Sequence, residues 1–307
     1  MPEIKMREIT YGNYGKCMEL SNGAADLAVT LDMGPRIIRF GLTGGENEFC
    51  EDAPNTMDTP HGKWSLLGGH RLWHSPEASP RTYSPDNDPV KWQRIENGIK
   101  VIQTTEPWVQ IEKEMEITMA GCCNKVQIIH RLTNKNAWPV ELSVWALSVM
   151  AKGGLEVVPQ PQRDTGLLGN RVIALWPYSR MNDHRVTWGD KYITIRQDAE
   201  YMKPFKFGIS NEDGWAAYFN HGNLFIKRFP HIMGAAYPDF GVSYETYTIN
   251  FMVEMESLSP LVRLEPDAAV SHIEEWELIP GVPMPENNEE AVDKAVNCYI
   301  KCCGGCK

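Results

Sequence analysis

Short runs of apolar and β-branched residues alternate with polar ones along most of the chain, and turn dipeptides separate the runs. Residues 16–20 lead into Asn22-Gly23, a dipeptide that favours a tight hairpin, and residues 25–31 return from it. Gly34-Pro35 breaks the chain before Arg36–Leu42, and Gly44-Gly45 turns it again. Residues 108–119 set Val109 and Ile111, then Met115, Ile117 and Met119, around polar Lys113 with a period of two. Residues 126–132, 140–150, 215–219 and 224–229, with Tyr192–Arg196 and Phe205–Ile209, continue the pattern, and Asn97-Gly98 and His221-Gly222 supply further hairpin turns. Residues 248–256 read as one strand, with Ile249, Phe251, Val253 and Met255 toward a core and Glu254 with Glu256 on the opposite face. No strand–helix–strand alternation of the parallel kind occurs. A helical stripe emerges only behind Asn288, as Ala291, Val292, Ala295, Val296, Tyr299 and Ile300. The pattern predicts an all-β antiparallel domain over residues 1–282. Residues 283–307 are expected to form a linker, a short C-terminal helix that docks through one narrow stripe, and a cysteine-rich tail, without which the sandwich should still close.

Residues 51–66 and 75–89 are polar, proline-containing and weakly patterned, so both are expected to be loops. Between them, Leu67 to Glu77 concentrates two imidazoles, a guanidinium, an indole and a carboxyl. In an extended conformation His70, Leu72 and His74 share one face, and Arg71 and Trp73 the other. Arginine suits oxygen-rich ligands, an indole suits stacking on a sugar or base, and histidine moves protons near neutral pH. His70 and His74 would need a regular helix to hold zinc four residues apart, and Gly68, Gly69 and Pro76 deny it, so no metal is expected. Lys227 falls on one face with Phe225 and Phe229, where it serves either as an edge gatekeeper or as a ligand contact.

Composition narrows the partners. The 307 residues carry a formal net charge of −10, which argues against nucleic acid or an anionic membrane as partner. No run approaches the roughly 18 apolar residues of a membrane span, and the first ten residues do not read as a signal peptide, so a cytoplasmic protein is expected. Cys17, Cys50, Cys122 and Cys123 lack framework spacing and read as reduced thiols. Cys298, Cys302, Cys303 and Cys306 have soft-metal character but no second ligand pair, and read as a thiol-rich terminus.

Taken in order, Gly34-Pro35-Arg36-Ile37-Ile38-Arg39-Phe40, Gly69-His70-Arg71-Leu72-Trp73-His74, and Val253-Glu254-Met255-Glu256 before Leu264-Glu265-Pro266-Asp267 resemble the aldose 1-epimerase, or galactose mutarotase-like, superfamily. The resemblance covers roughly residues 5–280. It implies a large antiparallel β-supersandwich with a monosaccharide on its concave sheet and no cofactor. It further implies Glu254 as general base, with Glu256 as fallback, and His70 and Arg71 as the residues that hold the sugar ring. The mid-chain strand that carries a histidine acid in true mutarotases reads Ser143-Val144-Trp145-Ala146-Leu147-Ser148 here, so His70 or His74 would have to supply the acid. The expectation is an aldose 1-epimerase-type isomerase with Glu254 as base and His70 as acid, and with Arg71, Trp73, His74, Lys227 and Glu256 around the substrate. The alternatives are a non-catalytic carbohydrate-binding module, or a lyase or epimerase on the same fold.

Overall fold

The computed structural model describes residues 3–301, so Cys302, Cys303 and Cys306 lie outside the described residues. Two antiparallel sheets face each other. The larger has twelve strands and runs Lys5–Thr10, Lys16–Ser21, Ala25–Thr30, Arg36–Leu42, Gly62–Ser75, Val140–Ala151, Met252–Leu258, Tyr244–Ile249, Phe205–Ile209, Ile173–Leu175. Glu51–Thr59 adds to Gly62–Ser75, and Val262–Leu264 to Val140–Ala151. The smaller has ten and runs Val186–Trp188, Tyr192–Arg196, Leu155–Pro159, Trp215–Asn220, Asn223–Arg228, Ala269–Pro280, Lys125–Asn134, Ile111–Met119, Gly98–Ile102, Lys91–Ile95. The all-β sandwich with one short C-terminal helix is therefore the fold, and none of its described helices is long and apolar enough to cross a membrane.

Alternation fixes which faces meet. Every second residue of Ile111–Met119 is buried, and in Ala269–Pro280 the same rhythm turns His272, Glu274, Trp276 and Leu278 inward. Between the sheets Phe40, Phe49, Phe225 and Trp276 form the central aromatic cluster, with ring centroids 5.4–6.2 Å apart. Val140–Ala151 and Met252–Leu258 are buried on both faces, because a second apolar cluster covers the side of the larger sheet that points away from the smaller one. Trp64, Trp73, Trp145, Leu147 and Met252 belong to that outer cluster.

Two expectations from the pattern are corrected. Residues 51–66 are not a loop: Glu51–Thr59 pairs with Gly62–Ser75, closing at Thr59 opposite Gly62. The strand lies at an edge, is polar on both faces, and breaks register between Ala53 and Thr56, which accommodates Pro54 without a ladder donor. Residues 248–256 are two strands joined at Asn250-Phe251, with Ile249 opposite Met252. The turn inverts the faces, so Ile249 and Phe251 join the outer cluster while Val253 and Met255 enter the inner core, and an unbroken period of two hides the hairpin.

Asn288 caps the helix Glu289–Val296 by accepting the Ala291 N–H at 2.9 Å. Val292, Val296 and Ile300 are buried against Leu155, Trp215 and Phe219 on the outer face of the smaller sheet. Glu289 accepts the backbone N–H groups of Asp190 and Lys191, at 2.7 and 2.9 Å. Each fully buried aliphatic side chain contributes about 1.5–3 kcal/mol, so truncation before Pro285 is expected to lower the thermal midpoint by several degrees. An unchanged midpoint in calorimetry would mean that the docked helix adds nothing to the stability of the sandwich.

Candidate functional site

The outer face of the larger sheet holds a cleft of about 800 Å³. Register builds its floor row by row. Trp73 lies opposite Trp145, and Arg71 opposite Leu147. Glu254 lies opposite Tyr247, and Tyr247 opposite Lys206. Since cross-strand partners share a face, Arg71, Trp73, Trp145, Glu254, Tyr247 and Lys206 all rise on the same side, and all line the cleft. Glu77 and Tyr83, from the segment after Gly62–Ser75, close one wall, where the Tyr83 hydroxyl donates to Glu77.

Two cations stand on this floor, each held by aromatic rings and carboxylates. Arg71 donates from Nη2 to Glu254 Oε1 at 2.9 Å, and its guanidinium lies 4.4 Å from the centre of the Trp73 ring and 5.9 Å from that of Trp64. Its Nε and Nη1 are buried without an acceptor, so the guanidinium keeps donors to spare. Lys206 Nζ reaches Glu245 at 2.7 Å and Glu256 at 3.0 Å, and lies 4.7 Å from the ring centres of both Trp145 and Trp176. Burial opposes the charge on Lys206, but Glu245 and Glu256 outweigh it and hold the ammonium well above its ordinary range. Burial pushes Glu256 up to about 7 and Glu245 well up too. Both carboxyls share the one ammonium, so each is held less firmly in its charged form than a carboxylate with a cation of its own. Trp145 Nε1 donates to Glu256 at 2.9 Å, fixing that carboxyl beneath the floor.

The structure separates residues that the expected site combined. Arg71, Trp73 and Glu254 share the cleft, with Glu256 just under it. His70 and His74 are on the opposite face of their strand, as alternation requires, and are buried. His70 points into the inner core, where its Nε2 is 2.7 Å from His130 Nε2 and its Nδ1 2.9 Å from Ser148 Oγ. His130 Nδ1 donates to the His272 carbonyl, which can only accept, so His130 Nε2 is bare and His70 Nε2–H donates to it. Burial, with Lys227 nearby, drives His70 well below its ordinary value, and burial takes His130 and His272 to about 3. These imidazoles are neutral and face away from the cleft, which removes His70 as its acid and His74 as a substrate contact. Lys227 is neither an edge residue nor a ligand contact: it is buried between the sheets, 3.0 Å from Glu274.

Among the described residues, His70, His130 and Glu274 bring metal-binding atoms within 4.8 Å of one another. The two imidazole nitrogens already share a proton, and the ammonium of Lys227 occupies the cation's place beside Glu274. The donor set is satisfied as a hydrogen-bond network.

No family model matches the sequence, and no curated protein matches it. Solved structures do match in shape. A candidate aldose 1-epimerase from Klebsiella pneumoniae subsp. pneumoniae MGH 78578 superimposes with a TM-score of 0.63 at 12% identity, over 97% of this chain and 87% of its own. A candidate mutarotase from Salmonella typhimurium gives a TM-score of 0.57 at 11% identity, over 91% and 95%. A TPR-domain containing protein from Parabacteroides distasonis ATCC 8503 gives 0.60 at 11% identity over 86% of this chain, which spans 47% of that longer protein. The fold is galactose mutarotase-like.

On this mutarotase-like frame the mid-chain strand presents Trp145 and Leu147 to the cleft, and among the described residues no imidazole lines it. Lys206, Trp64, Trp176 and Tyr247 also line the cleft and were not among the expected site residues. Lys206 had a signal: in Phe205–Ile209 it alternates with Phe205 and Phe207, both buried in the inner core, so a strand must put the lysine on the other face. Trp176 and Tyr178 lie on an irregular segment that no periodicity could place.

Proposed function

We propose that this chain binds a sugar in the cleft and interconverts its anomers, as an isomerase of the aldose 1-epimerase type, with Glu254 as general base and Lys206 in the acid's place. The observation that carries this reading is that Glu254 and Lys206 line one cleft on one row of the sheet, two strands apart. Strands about 4.8 Å apart put their backbone positions about 10 Å from each other, which leaves room for a pyranose ring between the side chains. Glu254 takes the proton of the C1 hydroxyl as the bond from C1 to the ring oxygen breaks. The Lys206 ammonium donates to the ring oxygen as charge develops there. Rotation about C1–C2 and the reverse transfers close the other anomer. Arg71 holds sugar oxygens with its spare donors.

A second reading, a carbohydrate-binding module without catalysis, is favoured by the missing imidazole and by the proton affinity of Lys206. Two measurements on the intact chain separate the readings: calorimetric binding of a panel of aldoses, and exchange NMR of their anomers. Binding with exchange no faster than in buffer would remove the isomerase and leave the module. His70→Asn tests the division of the faces. It breaks a buried hydrogen bond and is expected to cost about 1–3 kcal/mol in urea unfolding, while sugar affinity stays unchanged. A selective loss of exchange rate in this variant would return His70 to the site.

A further inference from the structure

The cleft is large for a free monosaccharide and does not end where the proposed chemistry ends. Its volume of about 800 Å³ lies toward the top of the range of about 300–1,000 Å³ that houses drug-sized ligands, and a hexose is far smaller than those. A second cavity of about 570 Å³ adjoins it. Pro54 stands in the wall of both, and the strand Glu51–Thr59 runs from one to the other, with Glu51, Asp52 and Ala53 beside the second cavity and Asn55, Thr56 and Met57 beside the first. The hairpin turn likewise borders both, giving Phe251 to the second cavity and Met252 to the cleft. The second cavity is lined by apolar residues, Phe251 among them, together with hydrogen-bonding groups of both kinds from Arg39, Asn47, Glu51, Asp52 and Lys152. A lining that mixes apolar and aromatic surface with hydrogen-bonding groups suits the faces and the hydroxyls of sugar rings, and Glu46, Glu51 and Asp52 against Arg39 and Lys152 leave it with no excess of positive charge for an anionic extension.

We infer that the substrate class is a neutral reducing oligosaccharide, its reducing unit over Arg71, Glu254 and Lys206 and its further units in the trough past Pro54 and Phe251. This inference rests on the sugar reading of the cleft and extends it to the size and charge of the ligand.

The test is calorimetry on the intact chain with the glucose, galactose and mannose series, each from monosaccharide to tetrasaccharide. In the series that binds, affinity is expected to rise at least tenfold from one unit to three. Equal affinity for one and three units would overturn the inference and leave the sugar reading standing, whereas no binding in any series would overturn both. Lys152→Ala places the additional units. Lys152 is exposed, so its replacement spares the fold, and it is expected to weaken the tetrasaccharide about three- to tenfold more than the monosaccharide. A gain with length that Lys152→Ala and Phe251→Ala leave untouched would mean that the chain leaves the cleft by another route, and would overturn the placement.

Discussion

Glu254→Gln is expected to leave sugar binding within a few-fold of wild type and to slow anomer exchange by about 10²–10⁴-fold, the usual contribution of a positioned acid or base. The substitution keeps the side chain's size and an oxygen that can accept from Arg71 Nη2, now at 2.9 Å, so the floor of the cleft keeps its shape. It removes the atom that takes the proton. Arg71→Ala is the contrasting case, because a guanidinium holds oxygens without transferring protons, and its loss should appear chiefly in affinity. Exchange NMR at saturating sugar reads the rate, and calorimetry reads the affinity. A Glu254→Gln protein that exchanges anomers at the wild-type rate would show that Glu254 only anchors Arg71.

The alternation of His70, Leu72 and His74 against Arg71 and Trp73 was legible from the residues alone, and the structure keeps it. What alternation could not say is which face meets the smaller sheet. That depends on which faces of distant strands are apolar, and here both are: Val253 and Met255 lie on the inner side, Trp73, Trp145 and Met252 on the outer. With tryptophans on the cleft side and histidines and a Lys–Glu pair on the core side, the usual equation of polar with ligand-facing fails in both directions. The two lysines between phenylalanines show the same ambiguity. Phe205-Lys206-Phe207 and Phe225-Ile226-Lys227 differ by one step of register, which sends Lys206 to the cleft and Lys227 to the core. The hairpins at Asn97-Gly98 and His221-Gly222 were legible because their turns require positive φ, which Asn97, His221 and Gly222 adopt. The one at Asn250-Phe251 carried no such signal.

Lys227→Met is expected to have the largest effect on stability of any single substitution considered, about 3–5 kcal/mol, the cost of leaving a buried charge without its partner. Lys227 belongs to the smaller sheet but donates to the carbonyls of Met255 at 2.9 Å and Ala146 at 3.3 Å, both in the larger one, besides its 3.0 Å contact with Glu274. It thus ties together the two strands that carry Trp145 and Glu254, from beneath the cleft. Glu274 accepts in addition from Ser257 at 2.5 Å and Trp276 at 2.8 Å, so without the ammonium it remains hydrogen-bonded but uncompensated. Burial lowers Lys227 from its ordinary value although Glu274 works to raise it, the mark of a charge kept in place only by its partner. Adding Glu274→Gln to Lys227→Met removes the stranded charge, and the amide oxygen still accepts from Trp276 Nε1 while the amide NH2 turns toward the Ser257 hydroxyl, which can accept as well as donate. The double variant is therefore expected to be more stable than Lys227→Met alone in urea unfolding. If the single substitution costs under about 1 kcal/mol, the range of an exposed pair, or if the second makes matters worse, the sheets are not held together by this charge. The outer clusters would then have to supply what aligns the cleft.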